Sequence, residues 1–179
     1  MGSWDSYNKP MPTAPMDFDL PDSAATERLG AALARSFADN AGAVVYLRGE
    51  LGSGKTTCAR SLLQALGVTA RVRSPTYTLV DTYGVGRLNC AHVDLYRLGS
   101  AAEVEELGLR DMTGPGFLLL IEWPEKGGAA VPPADLELLL RYAGEARLAS
   151  LHAASEVGER WLRKMGLDTS LVPYVSNIT

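Results

Sequence analysis

The stretch that most constrains this chain is VVYLRGELGSGKTTCARSLLQALG, Val44 to Gly67. An apolar run reads as a buried strand, and a glycine-rich turn follows it. Cys58, Leu62 and Leu66 then recur at helical spacing until Gly67 ends the helix. Gly49, Gly54, Lys55 and Thr56 fit the spacing G-x-x-x-x-G-K-[ST]. Glycines let successive N–H groups curl around an anion where side chains would clash. The helix that starts near Lys55 turns its positive dipole end toward the same point. Lys55 then reaches the β- and γ-phosphates of a nucleotide, and the Thr56 hydroxyl is placed to ligate Mg²⁺. Lysine is otherwise scarce, with only Lys9, Lys126 and Lys164 besides. A phosphate-binding loop is therefore preferred over a chance glycine turn.

The rest of the chain reads as one small α/β domain of strands alternating with helices and closed by a hairpin. PDSAATERLGAALARSFADN spaces Ala25, Leu29, Leu33 and Phe37 as a helix face, with Asp22 or Ser23 as its N-cap. TYTLVDTY and RLNCAHVDLYRL form a hairpin or two neighbouring strands around a break at Gly84 to Gly86. SAAEVEELG carries a capping box, Ser100 with Glu103. FLLLIEW is apolar enough for the centre of a parallel sheet covered on both faces. DLELLLRY and ARLASLHA close the domain as a hairpin around Gly144, and SEVGERWLRKM is a last amphipathic helix. Residues 1–16 read as a disordered arm, in part a cloning remnant, residues 17–166 as the domain, and 167–179 as a tail.

Composition excludes several functions. The net charge of −4 lacks the basic excess of a protein that grips nucleic acid. The arginines between Arg71 and Arg110 are answered by Asp81, Asp94, Glu103, Glu105 and Glu106, so no basic stripe forms. Cys58 and Cys90 have no metal-ligand spacing and suit reduced thiols in the cytoplasm. No apolar run approaches the ~18 residues of a membrane span.

Guanine-specific P-loop proteins carry a downstream N-K-x-D, which is missing, so adenine is favoured. The D-x-x-G matches Asp81–Gly84 and Asp111–Gly114 read as ordinary turns. Glu122 directly follows the apolar FLLLI run, where a carboxylate is costly unless a cation compensates it. Mg²⁺ would do so. Asp94 is a second acid on an apolar strand, and metal chemistry and a salt bridge to Arg97 are equally consistent with it. SPTYT, Ser74 to Thr78, follows the P-loop helix where switch loops lie, or is a strand start fixed by Pro75. Trp123 is either packing at a strand end or an anchor against that loop or a partner.

GELGSGKTT, SPTYTLVDTY, HVDLYRL, EELGLRD and IEWPEK, with LPDSAATERLGAALA before them, resemble one family in order and spacing: TsaE (YjeE). This is the bacterial ATPase family of tRNA threonylcarbamoyladenosine biosynthesis, and the resemblance runs from about Leu20 to Tyr142. It implies a P-loop NTPase fold with a mixed, mostly parallel sheet flanked by helices. It also implies ATP or ADP bound with Mg²⁺, and hydrolysis that is slow or depends on partners. By the resemblance, Gly49 and Gly52, Ser53, Gly54, Lys55, Thr56 and Thr57 hold the phosphates, and Thr56 and Glu122 the metal. Asp94 acts on the metal or the attacking water, and Asp94, Glu122 and Lys55 carry the catalysis. Ser74, Pro75, Thr76, Tyr77 and Thr78 form the switch loop, and Asp22 and Thr26 approach the nucleotide. The implied partners are TsaD- and TsaB-like proteins, with no strong direct tRNA binding and no membrane. A small-molecule kinase would need an acceptor pocket and a lid with clustered arginines. An ATP-gated scaffold would not need Glu122 and Asp94.

Overall fold

Four strands of the central sheet run parallel, and three of them end at the edge where the glycine-rich turn begins. In the computed structural model, residues 14–38, 42–75 and 77–176 are described. The order is β1 (Met16–Leu20), α1 (Ser23–Ser36), β2 (Ala43–Gly49), α2 (Lys55–Leu66), β3 (Val80–Val85) and β4 (Leu88–Asp94). Then come α3 (Ala101–Glu106), β5 (Phe117–Glu122), β6 (Leu136–Ala143), β7 (Ala146–Ala153) and α4 (Glu156–Met165). The sheet has seven strands in the order β1-β7-β6-β2-β5-β4-β3. β6, β2, β5 and β4 are parallel, and antiparallel pairs close both edges. This is the mixed α/β architecture expected from the sequence.

β5 lies inside the sheet between β2 and β4, where its side chains are covered on both faces. Leu118, Leu119, Leu120 and Ile121 are all fully buried, alternately on the two faces of the sheet. Truncating one of them to alanine would cost about 2–5 kcal/mol. One face packs against α1, α2 and α4, and the other against α3 and the turns around it. The α1 cap is Asp22, whose side chain accepts from the Ala25 N–H at 2.7 Å. Ala25, Leu29, Leu33 and Phe37 are all buried. α4 docks through Trp161, whose indole N–H donates to the Leu33 carbonyl at 2.9 Å while its ring meets Phe37.

Two local readings change. Asp81–Gly84 lies inside β3 and not in a turn, and the hairpin bend falls at Gly86 and Arg87. The capping box is half formed: Ser100 caps α3 by accepting from the Glu103 N–H at 3.4 Å, while the Glu103 carboxylate takes the Ser100 hydroxyl at 2.9 Å. β1 pairs with β7 across the chain, an arrangement that the local sequence does not announce. The expected N-terminal arm falls on residues 1–16, of which 1–13 lie outside the described residues. Part of the expected tail, Thr169–Tyr174, is a 3₁₀ segment. Leu171 is buried there, and the preceding Asp168 pairs with Arg35 of α1 at 2.8 Å. Among the described residues no helix is long and apolar enough to cross a membrane.

Candidate functional site

The loop after β2 lies directly on β6. Gly49 has φ 133° and Gly54 has φ 109°, both in the region that favours glycine. A Cβ on Gly49 would come within 2.2 Å of the Leu140 carbonyl oxygen, so no larger residue fits there. The Tyr142 hydroxyl donates to the Leu51 carbonyl at 3.0 Å and ties the loop tip to β6. Ser53 is fully buried under the loop. α2 starts at Lys55 without a side-chain cap, leaving its first N–H groups facing the turn.

Lys55 is only 4% exposed. Its ammonium donates to the Gly49 and Glu50 carbonyls, both at 2.7 Å, and lies 4.1 Å from the centre of the Trp123 ring. Burial holds its pKa below the ordinary lysine value, against the pull of Glu122, Asp94 and Glu125. The Trp123 ring also meets Tyr96, with centroids 4.9 Å apart. Trp123 itself has φ 59°, and Leu79, after the Ser74–Thr78 segment, has φ 62°. They are the non-glycine residues in the left-handed region among those described, and such conformations cost of order 1–3 kcal/mol each. Both sit close to the acids of the site.

Register brings the two acids together. Asp94 and Glu122 end neighbouring parallel strands and are direct partners across β4 and β5. Glu122 is 3% exposed, and its Oε1 accepts from the Thr56 hydroxyl at 2.7 Å. The same oxygen stands 2.9 Å from Nε2 of His92, a fully buried side chain. Asp94 accepts from the Ser74 hydroxyl at 2.6 Å and from the Tyr96 N–H at 3.0 Å. The alternative of an Asp94–Arg97 salt bridge does not occur among the described residues; Asp94 is tied to the switch segment instead.

Gly52, Gly54, Lys55, Thr56, Thr57, Ser74, Asp94, Glu122 and Trp123 line one cleft of about 430 Å³. The other expected residues stand around it. Thr26 puts its methyl 3.3 Å from where a Cβ on Gly54 would lie, so α1 touches the loop, while Asp22 caps that helix. The Pro75 carbonyl accepts from Leu79, Thr78 bonds Asp81, and Tyr77 is 89% exposed. Thr76 lies outside the described residues. The sequence reading assigned no place in the site to Leu51, His92, Tyr96 or Tyr142, and considered Arg97 only as a salt-bridge partner. Alternation along β4 was the available signal for His92, since it points the way Asp94 does.

The donor set suits a nucleotide with a small hard cation. Among the described residues no cluster of three or more His, Cys, Asp or Glu side chains could hold a metal alone. Mg²⁺ does not require one, because it takes one or two side chains plus phosphate oxygens and water. The Thr56 hydroxyl and the Glu122 carboxylate, already in contact, are the side chains that would hold it.

A family model described as "Threonylcarbamoyl adenosine biosynthesis protein TsaE" matches residues 20–149. The tRNA threonylcarbamoyladenosine biosynthesis protein TsaE of Haemophilus influenzae is 43% identical over 116 residues, 65% of this chain and 73% of that protein. The protein of the same name from Bacillus subtilis is 34% identical over 124 residues, covering 69% and 74%. Among solved structures, the crystal structure of Bacillus subtilis YdiB is similar with a TM-score of 0.72 at 26% identity. The match spans 88% of this chain and 97% of that one.

Proposed function

The chain belongs to the TsaE family of tRNA threonylcarbamoyladenosine biosynthesis proteins, and from that premise we propose that it binds and hydrolyses ATP with Mg²⁺. In this reading ATP turnover drives the tRNA N6-threonylcarbamoyladenosine assembly together with TsaB- and TsaD-like partners. The observation that carries it is the Thr56–Glu122 hydrogen bond of 2.7 Å. It joins the start of the phosphate-loop helix to the carboxylate ending β5, beside Asp94 and Lys55, in one cleft.

Each side chain has a task. The loop N–H groups and the α2 N-terminus receive the phosphates. Lys55 exchanges the Gly49 and Glu50 carbonyls for phosphate oxygens, staying charged inside the loop. Thr56 and Glu122 would hold the metal, which when bound would neutralise charge on the phosphates. Asp94 orients water or the metal's water shell. Because Asp94 also holds Ser74, the state of the phosphates is passed to the Ser74–Thr78 loop. The acidic net charge supports coupling through protein partners over direct tRNA contact.

Phosphate release from Mg·ATP, with and without TsaB- and TsaD-like proteins, tests the reading. Turnover that is slow alone and faster with partners supports it. Absence of nucleotide binding would overturn it.

A further inference from the structure

The cleft contains a cation that the proposed chemistry has not used. Arg97 lines it beside Asp94 and Glu122. Its backbone is fixed: Leu95 and Leu98 on either side are buried, and the Leu95 N–H donates to the Glu122 carbonyl at 3.1 Å. Its side chain is not. Among the described residues Arg97 forms no salt bridge, whereas Arg48 is held by both Glu125 and Glu137. The Arg97 guanidinium instead lies 5.2 Å from the centre of the Tyr77 ring, and Tyr77 is 89% exposed. A cation over so exposed a ring is weakly held. An arginine anchored at its backbone, loose at its tip and facing a phosphate loop has the form of a group that moves onto its target.

Resting on the ATPase reading, we infer that Arg97 is a catalytic arginine supplied in cis, which leaves the Tyr77 ring to stabilise the γ-phosphoryl group during transfer. In that step the water oxygen forms a new bond to the γ-phosphorus, and the bond from that phosphorus to the bridging oxygen breaks. The bridging oxygen leaves on ADP with the electron pair, and the water proton passes to the phosphate product or solvent. Charge spreads over the oxygens of the group in flight, and a planar guanidinium fork meets it better than a point charge. Lys55 is taken up by the bound phosphates inside the loop. Arg97 is the further cation in the cleft lining that no carboxylate claims. Tyr77 belongs to the switch loop, so movement of that loop releases the arginine, which links slow basal turnover to the partner-facing segment.

The test compares ADP with ADP–Mg²⁺–aluminium fluoride, a mimic of the transferring group, by titration calorimetry on the full chain. Arg97→Ala should bind ADP within about twofold of the unchanged protein but lose the mimic's extra affinity by about tenfold or more. Its phosphate release should fall by about 10²-fold or more. Arg97→Lys should fall between, and Tyr77→Ala should bind the mimic about two- to fivefold more tightly, the release of an exposed cation–ring contact. Unchanged mimic affinity and turnover in Arg97→Ala, in a protein that otherwise hydrolyses ATP, overturns the inference alone. Loss of partner binding with mimic affinity intact overturns it as well and makes Arg97 an interface residue. An unsubstituted protein that takes up neither ADP nor the mimic overturns the ATPase reading itself.

Discussion

Replacing Glu122 by glutamine should remove a charge while keeping a shape. Glu122 Oε1 accepts from Thr56 at 2.7 Å and stands 2.9 Å from His92 Nε2. An amide oxygen can keep both partners, so the side chain stays in place. A hydrogen bond to a charged group contributes about 1.5–3 kcal/mol and a neutral one about 0.5–1.5, so weakening two costs about 2–3 kcal/mol. Against this stands the desolvation of a carboxylate that is nearly buried, a penalty of several kcal/mol even after relaxation. The two effects nearly cancel. The melting temperature should therefore move by less than about 4 °C, the shift for about 1 kcal/mol in a domain of this size. Turnover behaves differently, because in the proposed function the carboxylate acts on the metal: phosphate release should drop about 10²-fold or more. Melting, ADP titration and phosphate release on one preparation read all three quantities. Turnover within about threefold of the unchanged protein would remove Glu122 from the chemistry. A fall in melting of more than about 10 °C would show the carboxylate to be structural and the cancellation argument wrong.

Lys55→Ala should weaken ATP binding, and Thr56→Ala should chiefly raise the Mg²⁺ concentration needed; nucleotide titrations across a metal series check both. Trp123→Ala should weaken association with a TsaB–TsaD-like complex while ATP affinity stays within about fivefold, since the ring's contact with Lys55 is one cation–π pair. Burial pushes the Cys58 thiol up to about 12 and Cys90 up to about 11 from the usual 9.0. Neither should react with a thiol reagent at neutral pH until the protein unfolds. Both folded values are raised, so the thiols' contribution to stability is complete below the unfolded value and lost as pH climbs through the folded ones. Melting in the alkaline range should therefore fall less in Cys58→Ala, relative to that variant's own neutral value, than in the unchanged protein.

The sequence made the phosphate loop legible because each requirement there is local. A strand, a turn of glycines and a helix follow one another within a single stretch, and Gly49 and Gly54 are glycine for reasons of backbone shape and space. β5 was legible through its apolar run, and with it the place of Glu122. What stayed hidden depends on contacts between distant segments. β1 is short and pairs with residues 147–151, so nothing near Met16–Leu20 specifies its neighbour. The partners of Asp94 stayed open until register set it opposite Glu122 and Ser74 bonded its oxygen. The Lys55 side chain bends back to its own loop under Trp123. Helical spacing does not report the direction of a flexible side chain.

In the proposed function, hydrolysis by this chain, and not nucleotide binding alone, drives the modification. Threonylcarbamoyladenosine formed on tRNA over many turnovers, with TsaB- and TsaD-like proteins, threonylcarbamoyl donor and the full chain, separates the two. The sample with ATP should accumulate product well beyond the amount of assembly present. The same sample with a non-hydrolysable ATP analogue on this chain, or with Glu122→Gln in its place, should stop at about one product per assembly. Equal accumulation in all three would show that hydrolysis by this chain is not required.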